Sequence, residues 1–200
     1  PEGSDAVSLT ELPLTALERV DVYRSNPPPS FGASPVGGVV NLVTRSQSNQ
    51  RMIRGFAGSH GTYRTTLLAQ GSEQEEEINR SWLMSSSGFS TQGDFSYFSD
   101  NGTLYNTQDD AVLSRENNDK GQWDALFRWR SAGPSGTVTV LNSVVSRQEG
   151  VPGPGNRPSR ESRLDTLQNL FGVQVERTGD NSFSKTHFWR NDRSELYNDQ

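Results

Sequence analysis

The chain has 200 residues, no cysteine and a net charge of -5, from 19 Lys and Arg against 24 Asp and Glu. Only 30% of the residues are hydrophobic and the mean hydropathy is -0.75, so no apolar run approaches the roughly 20 residues that a membrane-spanning helix needs. No basic stripe is present, which argues against a nucleic-acid partner, and the absence of thiols removes any disulfide framework or thiolate metal site.

The chain opens on Pro1 without a signal peptide and reads as an excerpt of a longer protein. Thr15-Ala16-Leu17-Glu18 has the spacing of a capping box and predicts one helical turn. In Leu17 to Tyr23, Val20 and Val22 alternate with Arg19, Asp21 and Tyr23, the period of a strand with one buried face. Pro27-Pro28-Pro29 cannot donate ladder hydrogen bonds and forces an extended bend. Gly37-Gly38 then permits positive φ or close backbone approach. Val39 to Val43 is apolar on both sides, as expected of a strand covered on both faces. Taken alone, this stretch equally describes a β-bend in a soluble domain.

Beyond Arg45, strand character recurs near 51–58, 63–71, 78–90, 120–131, 136–147, 165–177 and 183–196. His60-Gly61 predicts a tight turn, Ser72 to Glu77 an acidic one, and 91–119 a long excursion. Another tight turn is expected at Ala132-Gly133-Pro134-Ser135, a second long connection from Gly150 to Arg163, and a last tight turn at Gly179-Asp180-Asn181. From the third strand onward, long and short connections alternate. A soluble meander has no reason to sort its loops so, whereas an outer-membrane barrel has short periplasmic turns and long extracellular loops. Such a barrel also tolerates this composition, because every second strand residue faces a polar lumen.

Within the strands, Trp123, Ala125, Phe127 and Trp129 line up against Asp124, Arg128 and Arg130, with Leu126 the exception on the polar side. Val138, Val140 and Val144 form the next apolar face, interrupted by Asn142. Leu167, Phe171, Val173 and Val175 form the one after, interrupted by Asn169. In a barrel the apolar set meets lipid; in a β-sandwich the same alternation makes a dry core. Trp123 and Trp129 as interfacial girdles fit poorly, since six residues at ~3.3 Å, tilted by ~40°, span only about 15 Å of a ~25 Å band.

The segment LERVDVYRSNPPPSFGASPVGGVVNLVTR resembles the last part of the plug domain of TonB-dependent outer-membrane receptors. The matching positions are Glu18, Arg19, Val20, Asp21, Val22, Arg24, Phe31, Gly32, Gly37, Gly38, Val39, Val40, Asn41, Thr44 and Arg45; Ser25 and Phe31 stand where the family prefers Gly and Tyr. The resemblance implies a mainly β chain. Residues 1–46 would be the C-terminal part of a small α+β plug. Residues 47–200 would be about the first seven strands of a large antiparallel transmembrane β-barrel, which in that family has about 22. It implies a place in the Gram-negative outer membrane, surrounded by its lipid, and uptake of a scarce large extracellular ligand such as a ferric siderophore, cobalamin, haem or an oligosaccharide. Energy would arrive from TonB with ExbB and ExbD through residues upstream of Pro1.

A second likeness to that family lies in the long connection from Phe95 to Asn118 and in Gln148-Glu149-Gly150-Val151-Pro152-Gly153, which enters the next. Tyr97, Phe98 and Tyr105 are large rings in a polar loop, suited to gripping a bulky ligand or to packing the loop itself. Asp94, Asp100, Asp109 and Asp110 are hard oxygen donors that Ca²⁺ accepts, although their spacing is not that of an EF-hand; a solvated loop is the simpler expectation, and no other cofactor is expected. Enzyme chemistry finds little support. His60 and His187 stand far apart in the sequence, and Ser34 is followed by Pro35 where a nucleophile elbow requires a helix. The alternatives are a soluble β-sandwich binding module or adhesin, and a TonB-dependent signal-transducing receptor with a further upstream domain.

Overall fold

A computed structural model describes residues 14–24, 38–45, 49–103, 105–153 and 158–199. The first described piece is a 3-10 turn, Leu14–Ala16, followed by strand β1, Leu17–Tyr23, which pairs antiparallel with β2, Val39–Thr44. The capping box is not formed: Leu17 and Glu18 are already in β1, because Leu17 pairs with Thr44 and pulls the backbone into the ladder. Among the described residues there is no α-helix, so the opening segment contributes strands and a 3-10 turn rather than the expected α+β arrangement.

Two further expectations about this pair are corrected. Val20, Val22 and Val40 are exposed, so β1 buries neither valine and β2 is not covered on both faces. The opposite side of β1, bearing Asp21 and Tyr23, is the half-buried one. The alternation marks a strand correctly; which side is covered depends on what packs there, and here that is not the valine side.

Most of the remaining described residues form one antiparallel sheet of seven strands. Its members are β3 Gln50–Gly58, β4 Thr62–Glu75, β5 Ile78–Thr91, β8 Lys120–Gly133, β9 Gly136–Gly150, β10 Arg163–Gly179 and β11 Ser182–Asn198, in that spatial order. All seven expected strands are present. Most are longer than their alternation announces: at ~3.3 Å per residue and a ~40° tilt, even a 14-residue strand such as β8 rises about 35 Å, more than the ~25 Å apolar band of a barrel. The acidic turn is shorter than expected, because β4 runs to Glu75 and pairs with Ile78, leaving Glu76-Glu77 as the bend. The connection is the three residues Ser59-His60-Gly61; His60 and Gly61 both take positive φ, 56° and 60°, and the Thr62 amide closes the turn on the Ser59 carbonyl at 3.2 Å.

The long excursion after β5 holds a hairpin not foreseen from the sequence, β6 Ser96–Ser99 with β7 Ala111–Ser114. Four-residue strands in a polar loop have too few alternations to stand out.

Unbroken register fixes the two faces of the large sheet. One row runs Met52, Leu68, Ser85, Leu126, Ser143, Leu170; its neighbour on the other side runs Ile53, Leu67, Ser86, Ala125, Val144, Asn169. The first side, here the near face, carries the 3-10 turn. Ala16 is buried against Leu68, Leu83 and Leu126, with Met52 packed beside them. Around that small apolar cluster the near face is polar, with Thr66, Gln70, Ser81, Asp124, Arg128, Ser143 and Thr166 all buried. The far face is its opposite. Ile53, Leu67, Met84, Trp123, Phe127, Val138, Leu167, Phe171 and Phe188 stand exposed across all seven strands, whereas the near face exposes large apolar rings only on its edge strands, Phe56 on β3 and Phe183, Trp189 and Tyr197 on β11.

Candidate functional site

The sheet's two ends differ as its faces do. At one end lie the bends Glu76-Glu77, Pro134-Ser135 and Asp180-Asn181; at the other are the His60 turn and both long connections. These three are tied to one another. The His60 carbonyl accepts the Gln92 amide at 3.0 Å, and His60 Nδ1 lies 3.3 Å from Asp94. Phe95 sets its ring edge-to-face against His60 at 6.4 Å and against Tyr97 at 6.5 Å.

The two long connections are knitted together by residues that the sequence reading had not singled out. Arg115 donates from Nη2 to the Gly153 carbonyl at 2.7 Å and lies over the Tyr97 ring. Asn117 Nδ2 donates to the carbonyls of Val151 and Ser162 at 3.2 and 2.9 Å. Arg160 pairs with Glu116, and Arg163 with Asp119, each at 2.6 Å. Gly150 is needed here: a Cβ on it would meet the Asn117 carbonyl oxygen at 2.4 Å. The signals were the Arg115-Glu116-Asn117-Asn118 run and the glycine of Gly150-Val151-Pro152-Gly153, both visible in the sequence but without a partner assigned.

The loop candidates do not converge. Tyr97 is half-buried between Phe95 and Arg115 and packs the loop. Phe98 is 66% exposed opposite Val112, and Tyr105 is 99% exposed. Asp100 accepts the Gly102 amide at 3.1 Å in a local turn. Asp109 accepts Thr103 Oγ1 at 3.0 Å and Asn101 Nδ2 at 3.2 Å. These two bonds hold its carboxyl below the usual carboxylate range. Asp110 is half-buried on the far side of Asp109 from that turn. Among the described residues, no three His, Asp or Glu side chains come together as a metal site.

Of the plug-motif residues, Arg19, Asp21 and Asn41 form one network. Arg19 Nε donates to Asp21 at 3.0 Å, and Asn41 Nδ2 reaches the other oxygen of Asp21 at 3.2 Å across the strand pair. Gly38 has φ 111°, and a Cβ there would meet the Tyr23 carbonyl oxygen at 2.4 Å, so no other residue fits. Glu18 and Arg24 are exposed at the surface of β1 and just beyond it. Phe31, Gly32, Ser34 and Gly37 lie outside the described residues.

Where β2 ends, it is fastened to the near face. Arg128 donates to the hydroxyl and carbonyl of Thr44, while the Arg45 amide and Nε bond the carbonyls of Ala16 and Thr15 at 2.9 and 3.2 Å. Asp124 accepts from Ser87 Oγ at 2.6 Å. Among the described residues, Ser85 Oγ and Thr166 Oγ1 find no hydrogen-bond partner there, although both are buried.

On the far face several polar groups are paired with one another. Asn142 Nδ2 donates to Asn169 Oδ1 at 2.8 Å, so the two interruptions of the apolar pattern form one cross-strand pair. Trp123 Nε1 donates to Ser86 Oγ at 3.0 Å. Arg190 and Asp192 on the edge strand β11 neutralise each other through two bonds, at 2.7 and 3.2 Å. Comparison with protein-family models, with curated proteins and with solved structures gives no match.

Proposed function

We propose that the chain is part of a TonB-dependent outer-membrane receptor that takes up a scarce, large extracellular ligand. Its seven-stranded sheet forms part of the barrel wall, and the opening segment, through β2, forms part of the plug. The observation that carries this reading is the inversion of the sheet: the face richer in apolar residues is open, and the face covered by the opening segment is the more polar one. Water penalises such a sheet, since exposed apolar surface costs roughly 25 cal/mol per Å². Hydrocarbon on the far face and a hydrated lumen on the near face remove that cost.

Three features agree with it. Asn142 with Asn169, Trp123 with Ser86, and Arg190 with Asp192 pair on the far face, which lowers the cost of placing them against lipid. Both long connections lie at one end, together with the His60 turn, and the other three connections, at the opposite end, are all tight bends. The Arg19–Asp21–Asn41 network and the enforced glycine at position 38 give the plug-like motif a structural basis. A β-sandwich would place Trp123, Phe127 and Trp129 between two sheets; among the described residues no second sheet lies over them. A signal-transducing receptor of the same architecture is distinguished by sequence upstream.

The test is single-cysteine labelling of the whole protein in isolated outer membranes. Cysteines at Phe127 and Leu167 should resist a water-soluble maleimide while spin labels there broaden with lipid-dissolved oxygen; cysteines at Phe98 and Tyr105 should react on intact cells. Rapid aqueous labelling at Phe127 and Leu167 would overturn the reading.

A further inference from the structure

Charge is segregated in the large sheet as sharply as polarity. In a chain whose net charge is -5, the near face carries eight Lys and Arg side chains against four carboxylates, Asp124, Glu149, Glu176 and Glu195. Three of those carboxylates are already paired: Glu149 with Lys120 at 3.6 Å, Glu176 with Lys185 at 3.0 Å, and Glu195 with Arg193 at 2.5 Å. Arg54, Arg64, Arg128 and Arg130 make no salt bridge among the described residues. Arg128 is occupied by Thr44, but Arg54 and Arg64 are neighbours on adjacent strands and are exposed. Arg64 stands in one row between Phe56 and Phe89, with its guanidinium 4.9 Å from the Phe89 ring centre.

We propose that this face is the wall of a path for an anionic solute, and that Arg54 and Arg64, flanked by Phe56 and Phe89, form a contact site on it. The inference rests on the receptor reading above and adds the chemical class of the cargo. A guanidinium stays charged at any physiological pH and offers paired donors to a carboxylate, sulfonate or phosphate. Unneutralised cations along a narrow, low-dielectric wall raise the local concentration of anions and exclude cations. The phenyl rings supply the apolar contact that a bulky organic anion needs beside its charged groups. A neutral cargo would gain nothing from this excess of positive charge, and a cationic one would be repelled by it.

The experiment uses the complete protein, purified in a neutral detergent, and two fluorescent probes: pyranine, a pyrene trisulfonate, and ethidium, a cation. Anisotropy titrations should show pyranine binding that weakens with added salt and no ethidium binding. The double variant Arg54→Gln with Arg64→Gln should bind pyranine at least about tenfold more weakly, from the loss of charge-assisted hydrogen bonds. Arg80→Gln on the far face should leave binding unchanged. Equal binding of the two dyes, or a double variant that matches the parent, would overturn the inference. So would pyranine binding that emerges only after Glu2, Asp5 and Glu11 are neutralised, because the wall charge would then serve the opening segment. The maleimide and oxygen measurements separate the two claims: a lipid-embedded protein without anion preference removes the cargo assignment and leaves the receptor reading standing.

Discussion

Residues 126 and 127 are neighbours in sequence and opposites in environment. Leu126 lies on the near face, buried in the small cluster under Ala16; Phe127 lies on the far face, exposed in the apolar band. The same reversal holds for Leu68 and Leu67, and for Leu83 and Met84. In a water-soluble protein the side with more apolar side chains is the buried side. Here the packed cluster on the covered side is only Ala16, Leu68, Leu83 and Leu126 with Met52, set among hydroxyls, amides and charges, and the side richer in apolar residues is open. Period-two alternation specifies that a sheet has two chemically different faces. It does not specify which of them meets solvent, and that choice is what separates a sandwich from a barrel wall.

The comparison breaks most readily at the near-face cluster. Leu83 is fully buried, and Leu83→Ala should destabilise the refolded protein by about 2–5 kcal/mol, a lost side chain plus a cavity. Because the cluster holds the 3-10 turn, the same variant should speed tryptic cleavage after Arg45. A loss below about 1 kcal/mol would mean that the opening segment is not anchored there. On the far face, Phe127→Arg should cost about 2–4 kcal/mol in lipid vesicles by denaturant titration, the penalty for a cation in the apolar belt. On a water-facing surface the same change stays within about 0.5 kcal/mol. Gly38→Ala should cost about 1–3 kcal/mol through backbone strain and the clash with Tyr23, and should release β2 from β1 by amide exchange while leaving the large sheet unaffected.

What the sequence made legible follows the length and regularity of each pattern. The seven strands read correctly because strand character sustained over eight or more residues is hard to produce otherwise, and their bends carried His60-Gly61 and Pro134-Ser135 as punctuation. Gly38 was legible because only glycine accepts its φ. The valine side of β1 was misassigned because a seven-residue strand with charged neighbours says nothing about what lies over it. The β6–β7 hairpin was too short to see. The loop clamp was hidden for another reason: Arg115, Asn117 and Gly153 are more than 30 residues apart in their bonds, and nothing local in either segment announces the other. Asn142 and Asn169 looked like two flaws and are one hydrogen bond, a relation that register reveals and composition does not.

The smallest expected effect lies in the loop and sharpens the contrast between sheet and connections. Asp109 accepts hydrogen bonds from Thr103 and Asn101, and these keep its carboxyl below its ordinary 3.8. A depressed carboxyl pKa means that the folded loop prefers the ionised form. Its contribution is therefore complete above the ordinary value and is lost as pH falls through the lowered one. Amide exchange across Asn101 to Asp109 should stay slow from neutrality down to the ordinary carboxylate value and, after correction for intrinsic rates, lose protection only below it. The strands of the large sheet should stay protected over the same range. Asp109→Asn removes the titrating group but retains an amide oxygen acceptor, so its exchange should be uniformly faster and independent of pH. If the parent loop instead loosens between neutrality and about pH 5, a group other than Asp109 controls it.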